Sequence, residues 1–381
     1  MKILIVSVFS NHFFNWVLQL KESGHEVHWF DLNDANTYVE RIDFVHQTVK
    51  WKRKFEYPGR YWIKNNIPAL DTFIEQFNNR KFLDVFQKKL NEIQPDVIQS
   101  FEMHSACVPI LGIMKNNPKI KWVYSAWGND LFYYQNEPEK LKEIKAVFGR
   151  LDYMFADCTR DFLIAEKHGF KGEYLGTFPG GGGYDLSSSD PWVREFQNRK
   201  TILIKGYEHK FGRCNNVLEA LLEIEDDLKG FKIVVFAATK EVLKFVNHPR
   251  FNKMENLEIK GQIGRGEVLE LMGKSLIYIG NSISDGIPNT LLESVIMGSF
   301  PIQSNPGGAS AEIIEHGKNG FLIENPEDIK VIALLIKQAI QNPELLRSGI
   351  AYNVAKVKPM LERNYIKDQV LKKYQLVEQN L

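Results

Sequence analysis

Cysteine is scarce in this chain. Cys107, Cys158 and Cys214 are widely spaced and odd in number. That pattern supports neither a disulfide framework nor a cysteine-based zinc site, and a reducing compartment fits best. No run of ~18 apolar residues occurs, so no transmembrane helix is expected. The opening Met1–Ser7 is too short for a signal-peptide core and reads as a first strand, which points to a cytoplasmic protein. Charge of one sign is missing too. Lys and Arg number 48 against 47 Asp and Glu, a net of +1, so no nucleic-acid partner is expected. No Gly-x-Gly-x-x-Gly follows Ile3–Ser7, which argues against a dinucleotide-dependent dehydrogenase. No Asp-x-Asp pair or His/Cys cluster marks a cation site, and neither metal nor cofactor is expected. Internal repeats and low-complexity tracts are absent as well.

What is present is alternation. The 381 residues are 44% hydrophobic and 25% charged, which suits a globular protein of two domains. Apolar strand-like runs fall at Ile3–Ser7, His25–Phe30, Val97–Ser100, Trp122–Ser125 and Tyr153–Ala156. An amphipathic helix ending at Gly24 separates the first two. A second series follows at Thr201–Ile204, Phe231–Phe236, Leu257–Ile259, Leu276–Ile279, Phe300–Gln303 and Phe321–Ile323. The repetition predicts an α/β fold of two Rossmann-like parallel-sheet domains, at residues 1–185 and 201–359. The linker at 186–200 contains Ser187-Ser188-Ser189-Asp190-Pro191, which is small, polar and breaker-rich. A last helix runs from about Leu361 to Gln379. Ligands of open parallel sheets bind beyond the strand ends, and two such domains facing each other make a cleft.

The densest chemistry is Asp285-Gly286-Ile287-Pro288-Asn289-Thr290-Leu291-Leu292-Glu293, followed by Gly298, Pro301 and Asn305-Pro306-Gly307-Gly308. It reads as a loop breaking into an apolar helix that stops at Gly298 before a short strand. A helix start offers unpaired N–H groups and a positive dipole end, a seat for a pyrophosphate. Glu293, expected within the first turn, can accept hydrogen bonds from ribose hydroxyls, and Asp285 from a second polyol. Donor-binding candidates are thus Asp285, Asn289, Thr290, Leu291 and Glu293. The alternative is that both carboxylates only cap the helix electrostatically.

The run resembles the carboxylate-x7-carboxylate signature of retaining family-4 glycosyltransferases of the GT-B fold, bacterial type. That family usually begins the motif with Glu, where this chain has Asp285. Gly307-Gly308 with Glu312, then Gly317-Lys318-Asn319-Gly320-Phe321-Leu322-Ile323, resemble the family's glycine pair and closing turn–strand. The resemblance implies a final helix, here 360–381, that rejoins the N-terminal domain. It also implies a nucleotide-diphosphate-sugar donor and a front-face transfer without metal.

Four further segments are read against this resemblance. Ser10-Asn11-His12 matches a glycine-rich family loop, and Ser10 and Asn11 are donor-binding candidates that also suit a helix N-cap. Pro95 to His104 resembles a Pro-Asp-Val-Val-His-x-His segment, with Gln99 and Phe101 in place of histidines. Glu102 and His104 remain there as candidate catalytic groups. Ser125-Ala126-Trp127-Gly128-Asn129-Asp130 resembles Thr-x-His-Gly-x-Asp. Trp127 there could pack a sugar face, and Asp130 is a catalytic candidate or a helix cap. Lys205-Gly206-Tyr207 and Gly212-Arg213 resemble a variant basic loop. Lys205 and Arg213, with Lys210 as rival, are assigned to the leaving diphosphate.

Residues 50–64 hold six basic side chains and five aromatics against one acid. That mixture suits an anionic membrane face, an acceptor's pyrophosphate, or a solvated loop. The reading of the whole is a retaining glycosyltransferase acting on a glycan or lipid-linked acceptor in bacterial surface-glycan synthesis, cytoplasmic or peripheral on the inner membrane face. Two rivals stand beside it. One is a GT-B sugar-nucleotide epimerase, the other an inactive GT-B protein that binds glycans or partners.

Overall fold

Parallel strands buried on both faces need near-continuous apolar runs, and those runs become the sheets. The computed structural model describes residues 1–187 and 190–381, so Ser188 and Ser189 of the expected linker lie outside the described residues. Among the described residues two sheets form. The first contains β1 (Lys2–Ser7), β2 (Glu26–Asp31), β3 (His46–Thr48), β4 (Val97–Phe101), β5 (Lys121–Ser125), β6 (Tyr153–Ala156) and β7 (Glu173–Thr177), in the order β3-β2-β1-β4-β5-β6-β7. The second contains β8 (Thr201–Lys205), β9 (Lys232–Phe236), β10 (Leu257–Ile259), β11 (Ser275–Gly280), β12 (Phe300–Ser304) and β13 (Phe321–Ile323), ordered β10-β9-β8-β11-β12-β13. The central pairs β1–β2, β1–β4, β8–β11 and β11–β12 are parallel. Both sheets have the strand order of a Rossmann-like fold, and together they make the GT-B type of α/β architecture.

Each expected strand is found to within a residue or two, and two more appear. β3 and β7 close the two ends of the first sheet. An edge strand has one neighbour, and His46-Gln47-Thr48 contains no apolar residue and is partly exposed. A hydrophobicity pattern does not announce such strands.

Eight helices matter below: α1 (Asn11–Val17), α2 (Arg60–Asn66), α3 (Pro68–Asn78), α4 (Thr159–Lys167), α5 (Cys214–Glu223), α6 (Arg265–Lys274), α7 (Asn289–Ile296) and α8 (Arg363–Gln379). The chain divides into two units. One is Met1–Phe155 with Ala165–Gly176 and Val370–Leu381, the other Ala156–Ile164 with Thr177–Gln369. In the second unit Ile202, Ile204, Ile277, Ile279, Phe300 and Ile302 build a core between β8, β11 and β12.

The C-terminal part of α8 belongs to the first unit and is held there by a buried polar chain. Trp16 Nε1 donates to Tyr374 Oη at 3.1 Å, and Tyr374 Oη donates to Gln99 Oε1 at 2.5 Å. Gln99 Nε2 then reaches Ser125 Oγ at 2.9 Å. Gln99, on β4, stands where the family pattern has a histidine, and here it anchors a helix instead. Burial drives the Tyr374 phenol far up, so it stays a neutral donor. Tyr374→Phe should strand the Trp16 N–H and the Gln99 carbonyl, at about 1–3 kcal/mol. A urea or thermal midpoint equal to that of the wild type would show that this chain contributes nothing.

Candidate functional site

Helix α7 carries the centre of the motif. Pro288 precedes it and no side chain caps it. Proline fits there because its φ is already helical and its missing N–H needs no partner. Two tyrosines, Tyr278 fully buried and Tyr184 partly so, fix the first turn. Tyr184 Oη donates to Asn289 Oδ1 and Tyr278 Oη to Thr290 Oγ1, each at 2.8 Å. Burial raises both phenols, keeping them protonated donors. Leu291 is fully buried and its N–H goes to the Pro288 carbonyl, so it packs the helix rather than reaching outward. Glu293 is the fifth helical residue, in the second turn and not the first. The difference arises because the helix starts at Asn289, after the proline.

The other end of α7 is also fixed. Gly298 has φ +75°, a conformation that ends the helix and suits glycine. The buried guanidinium of Arg199 donates to the carbonyls of Met297 and Gly298. A cation at the C-terminal carbonyls opposes the negative pole of the helix.

The Asp285 loop is held by a segment that the sequence reading passed over. Arg160, on α4, donates to the Asp285 carbonyl and to the Pro306 carbonyl, both at 2.7 Å. It thereby ties the carboxylate loop to the glycine-pair loop. Asp161 neutralises it through two contacts, at 2.9 and 2.7 Å. Asp157 lies against Gly286, where a β-carbon would displace its carboxylate. Glu312 caps the start of α4, accepting from Thr159 N at 2.7 Å, Thr159 Oγ1 at 2.9 Å and Arg160 N at 3.2 Å. Asp285 itself is partly exposed, and its Oδ1 accepts from Gly286 N at 3.0 Å. No spacing rule links Arg160 to residues 125 and 146 positions away. The one available signal is that Asp157–Asp161 follows a strand end.

Glu293 is mostly buried and pairs with Arg265 of α6 at 3.0 Å. Burial raises its carboxyl above the ordinary value, while Arg265 and Lys205 pull it down. The carboxylate lines a cavity of about 230 Å3 with Tyr184, Arg265 and Arg363. Lys205 ends β8 and sits over the Tyr207 ring at 4.5 Å. Glu293, Lys205 and the α7 start therefore lie in one electrostatic neighbourhood. Arg213 precedes α5 and turns elsewhere. Its Nε meets Glu327 at 2.9 Å and its Nη1 meets the Gly212 carbonyl at 2.9 Å. Lys210 lies over Phe211 at 5.3 Å.

The first-unit candidates are occupied as turn caps. Ser10 caps α1, accepting from Phe13 N at 3.2 Å, and Asn11 accepts from Arg41 at 2.8 Å. Glu102 has φ +75° and accepts from His104 N and from Ser105 N and Oγ, closing the turn Met103–Cys107. Asp130 is buried and accepts from Met103 N at 2.9 Å, Tyr124 Oη at 2.7 Å and Trp127 N at 3.1 Å. Its oxygens thus hold two strand-end loops in register. The His104 ring lies 3.4 Å from Glu143 and edge-on to Tyr134, and burial lowers its proton affinity. Trp127 contacts the rings of Phe101 and His12.

Two groups among the described residues bring three possible metal ligands together: Glu26, His28 and His46, and Asp157, Cys158 and Asp161. In the second, burial drives the Cys158 thiol up and Asp161 is committed to Arg160, so the donor set suits a cation poorly.

Residues 195–356 match the family described as glycosyl transferases group 1, and residues 2–158 that described as glycosyl transferase 4-like. No curated protein matches the chain in sequence. Among solved structures, sucrose-phosphate synthase from Thermosynechococcus elongatus is similar, with TM-score 0.74, 14% identity and 100% of both chains covered. HepE from Anabaena in complex with UDP-glucose has TM-score 0.69 and 12% identity, over 98% of this chain and 99% of that one. A glycosyltransferase from Rickettsia africae has TM-score 0.68 and 15% identity, over 100% and 99%. At such identities the likeness is one of fold.

The Arg160 arrangement can be tested directly. Arg160→Gln should leave Asp161 unpaired and two carbonyls short of donors, lowering stability by about 3–5 kcal/mol. Arg160→Lys keeps the charge but one ammonium cannot serve both carbonyls and the paired contact with Asp161, so its melting temperature should fall between those of wild type and Arg160→Gln. Equal melting temperatures for all three proteins would remove the clamp.

Proposed function

The chain belongs to the glycosyltransferases of the GT-B fold, and from that premise we propose that it transfers a sugar with retained anomeric configuration. The donor is a nucleotide diphosphate sugar and the acceptor a hydroxyl of a surface glycan, borne on a lipid. The observation that carries this is Glu293, a mostly buried carboxyl group paired with Arg265 near Lys205 and an uncapped helix start. A buried acceptor group next to a positive seat matches a ribose joined to a diphosphate. The UDP-glucose complex of HepE makes a uridine diphosphate sugar the first donor to try.

In the proposed reaction the bond from the anomeric carbon to the diphosphate oxygen breaks. The acceptor oxygen bonds that carbon on the same face, and its proton passes to the departing phosphate oxygen. Lys205 and the α7 start stabilise the charge that develops there. Arg213 can join them, since its pair with the exposed Glu327 is weak and a diphosphate offers a better fork partner. Asp285, partly exposed, would hold the transferred sugar. The route needs no acid/base pair across the sugar, as an epimerase would. Glu102 and Asp130, the carboxylates nearest such a role, give their oxygens to turn donors. Three free, buried cysteines support a reducing, cytoplasmic setting. The basic and aromatic segment 50–64 supports an acceptor carried at an anionic membrane face.

Two outcomes are expected. Because burial lifts the Glu293 carboxyl above 4.5, its charge is lost on acidification earlier than for an ordinary glutamate. Affinity for UDP, read by calorimetry, should therefore fall as pH drops, beginning above 4.5. Glu293→Gln should bind about 1.5–3 kcal/mol more weakly and keep only the part of the pH dependence that belongs to the diphosphate itself. A wild-type profile in the variant would remove Glu293 from the ribose. Separately, turnover should persist in excess chelator, and an absolute Mg2+ requirement would oppose the electrostatic scheme.

A further inference from the structure

Helix α3 is folded inside out. Its buried residues are polar, Asp71 at 8% and Asn78 at 1% exposure, while Leu70, Phe73 and Phe77 stand exposed at 40%, 58% and 63%. With Ile67 these apolar residues recur at spacings that fall on one helical face. The arrangement is fixed by hydrogen bonds and is not a matter of loose packing. Asn78 Oδ1 accepts from Phe55 N at 3.0 Å and Asn78 Nδ2 donates to the Phe55 carbonyl at 2.8 Å. Lys54 N reaches the Asn78 carbonyl at 2.8 Å and Arg80 N the Lys52 carbonyl at 2.7 Å. The polar face of α3 is thus bolted to the preceding loop, and the phenylalanines are left to face outward. Helix α2 buries nothing and adds Tyr61 and Trp62, both more than half exposed.

We infer that α2 and α3 form a monotopic wedge that inserts its aromatic face into an anionic lipid surface. Charge selects this occupant. Between Lys50 and Lys81 lie eight Lys and Arg against three Asp and Glu, in a chain whose net charge is only +1. Apolar side chains ringed by cations, with Trp and Tyr among them, match the depth profile of a headgroup region. A second copy of the chain would bring the same positive charge against itself, which disfavours self-association through this face. Among the described residues no helix is long and apolar enough to cross a membrane, so the contact is one of surface insertion. Insertion assigns the main hold to α3, beyond the basic segment 50–64, whose cations supply attraction but little burial. The inference rests on the membrane-borne acceptor reading for its purpose, yet its test does not require turnover.

The full chain should sediment with vesicles of phosphatidylcholine and phosphatidylglycerol and not with phosphatidylcholine alone. Trp62→Ser/Phe73→Ser/Phe77→Ser should weaken that binding at least tenfold on the scale of about 1.4 kcal/mol per decade, even at low salt. Lys50→Ser/Lys52→Ser/Lys64→Ser should instead bind like wild type at low salt and release at a lower salt concentration. All these positions are at least partly exposed, so melting temperatures should match, and UDP affinity serves as the control on the donor site. Wild type that ignores anionic vesicles overturns the wedge, as does a Trp62→Ser/Phe73→Ser/Phe77→Ser variant that binds as well as wild type. Vesicle-blind wild type that dimerises or pulls down an acidic protein would assign the face to that partner. Loss of UDP binding with intact vesicle binding would sink the donor reading and leave the wedge standing.

Discussion

The guanidinium of Arg160 is the constraint on which the Asp285 and Pro306 loops depend. Neither loop is a regular element, and their carbonyls of Asp285 and Pro306 point into protein. A buried carbonyl without a donor costs more than a good hydrogen bond returns, so such loops need an internal partner. One guanidinium nitrogen, Nη1, satisfies both, while Nε and Nη2 turn to Asp161. Burying that guanidinium would be unfavourable alone, and Asp161 next to it supplies the counter-charge. Burial pushes the Asp161 carboxyl up to about 6 while Arg160 draws it down, so the two are stable inside only together. Arg199 repeats the device with carbonyls at the far end of α7. A short helix of eight residues, too short to be stable alone, is thus held between a preceding loop that Arg160 clamps and a C-terminal end whose carbonyls Arg199 caps.

That seating makes the tension at Glu293 useful. Water would stabilise the carboxylate better than the protein does, as its raised proton affinity shows. Arg265 and Lys205 recover only part of the difference. A folded chain tolerates such a group when the surroundings are rigid, and a ligand that offers hydroxyl donors then gains what solvent has lost. Asp285 differs. It is partly exposed and one methylene shorter than the family's usual glutamate, and Gly286 beside it admits Asp157 at close range. The short side chain and the close-packed loop are consistent with each other.

Much of this was legible in the sequence because it is periodic or local. The apolar runs marked eleven strands, since a strand between two neighbours must be apolar on both faces. β3 and β7 were illegible because, unlike the edge strands β10 and β13, they carry too little apolar character, His46-Gln47-Thr48 having none and Glu173–Thr177 only Tyr174 and Leu175 beside Gly176. The Asp285–Glu293 run was legible because its residues act within one loop and one helix. Arg160, Glu312 on Thr159, and Tyr184 on Asn289 were not, because each bridges segments more than a hundred residues apart. The strand-end acids show the opposite difficulty. Glu102 and Asp130 have the residue types of catalysis, and type alone does not reveal that their oxygens already cap backbone N–H groups.

Helix α3 shows where pattern reasoning stops for a deeper reason. An amphipathic helix has two faces, and periodicity reports the stripe without saying which medium it meets. The default, apolar inward, holds because the protein interior is normally the nearest apolar phase. It fails when a polar face has more to gain inside. Asn78 satisfies both ends of its amide on the Phe55 backbone, and Asp71 faces the Tyr57 hydroxyl at 3.4 Å. Those contacts turn the phenylalanines outward by geometry, whatever lies beyond. A sequence selected only for folding would replace Phe73 and Phe77 with polar residues at little cost. Their place on the outer face, beside a local excess of cations, fits the apolar phase bounded by negative charge that the wedge proposal invokes.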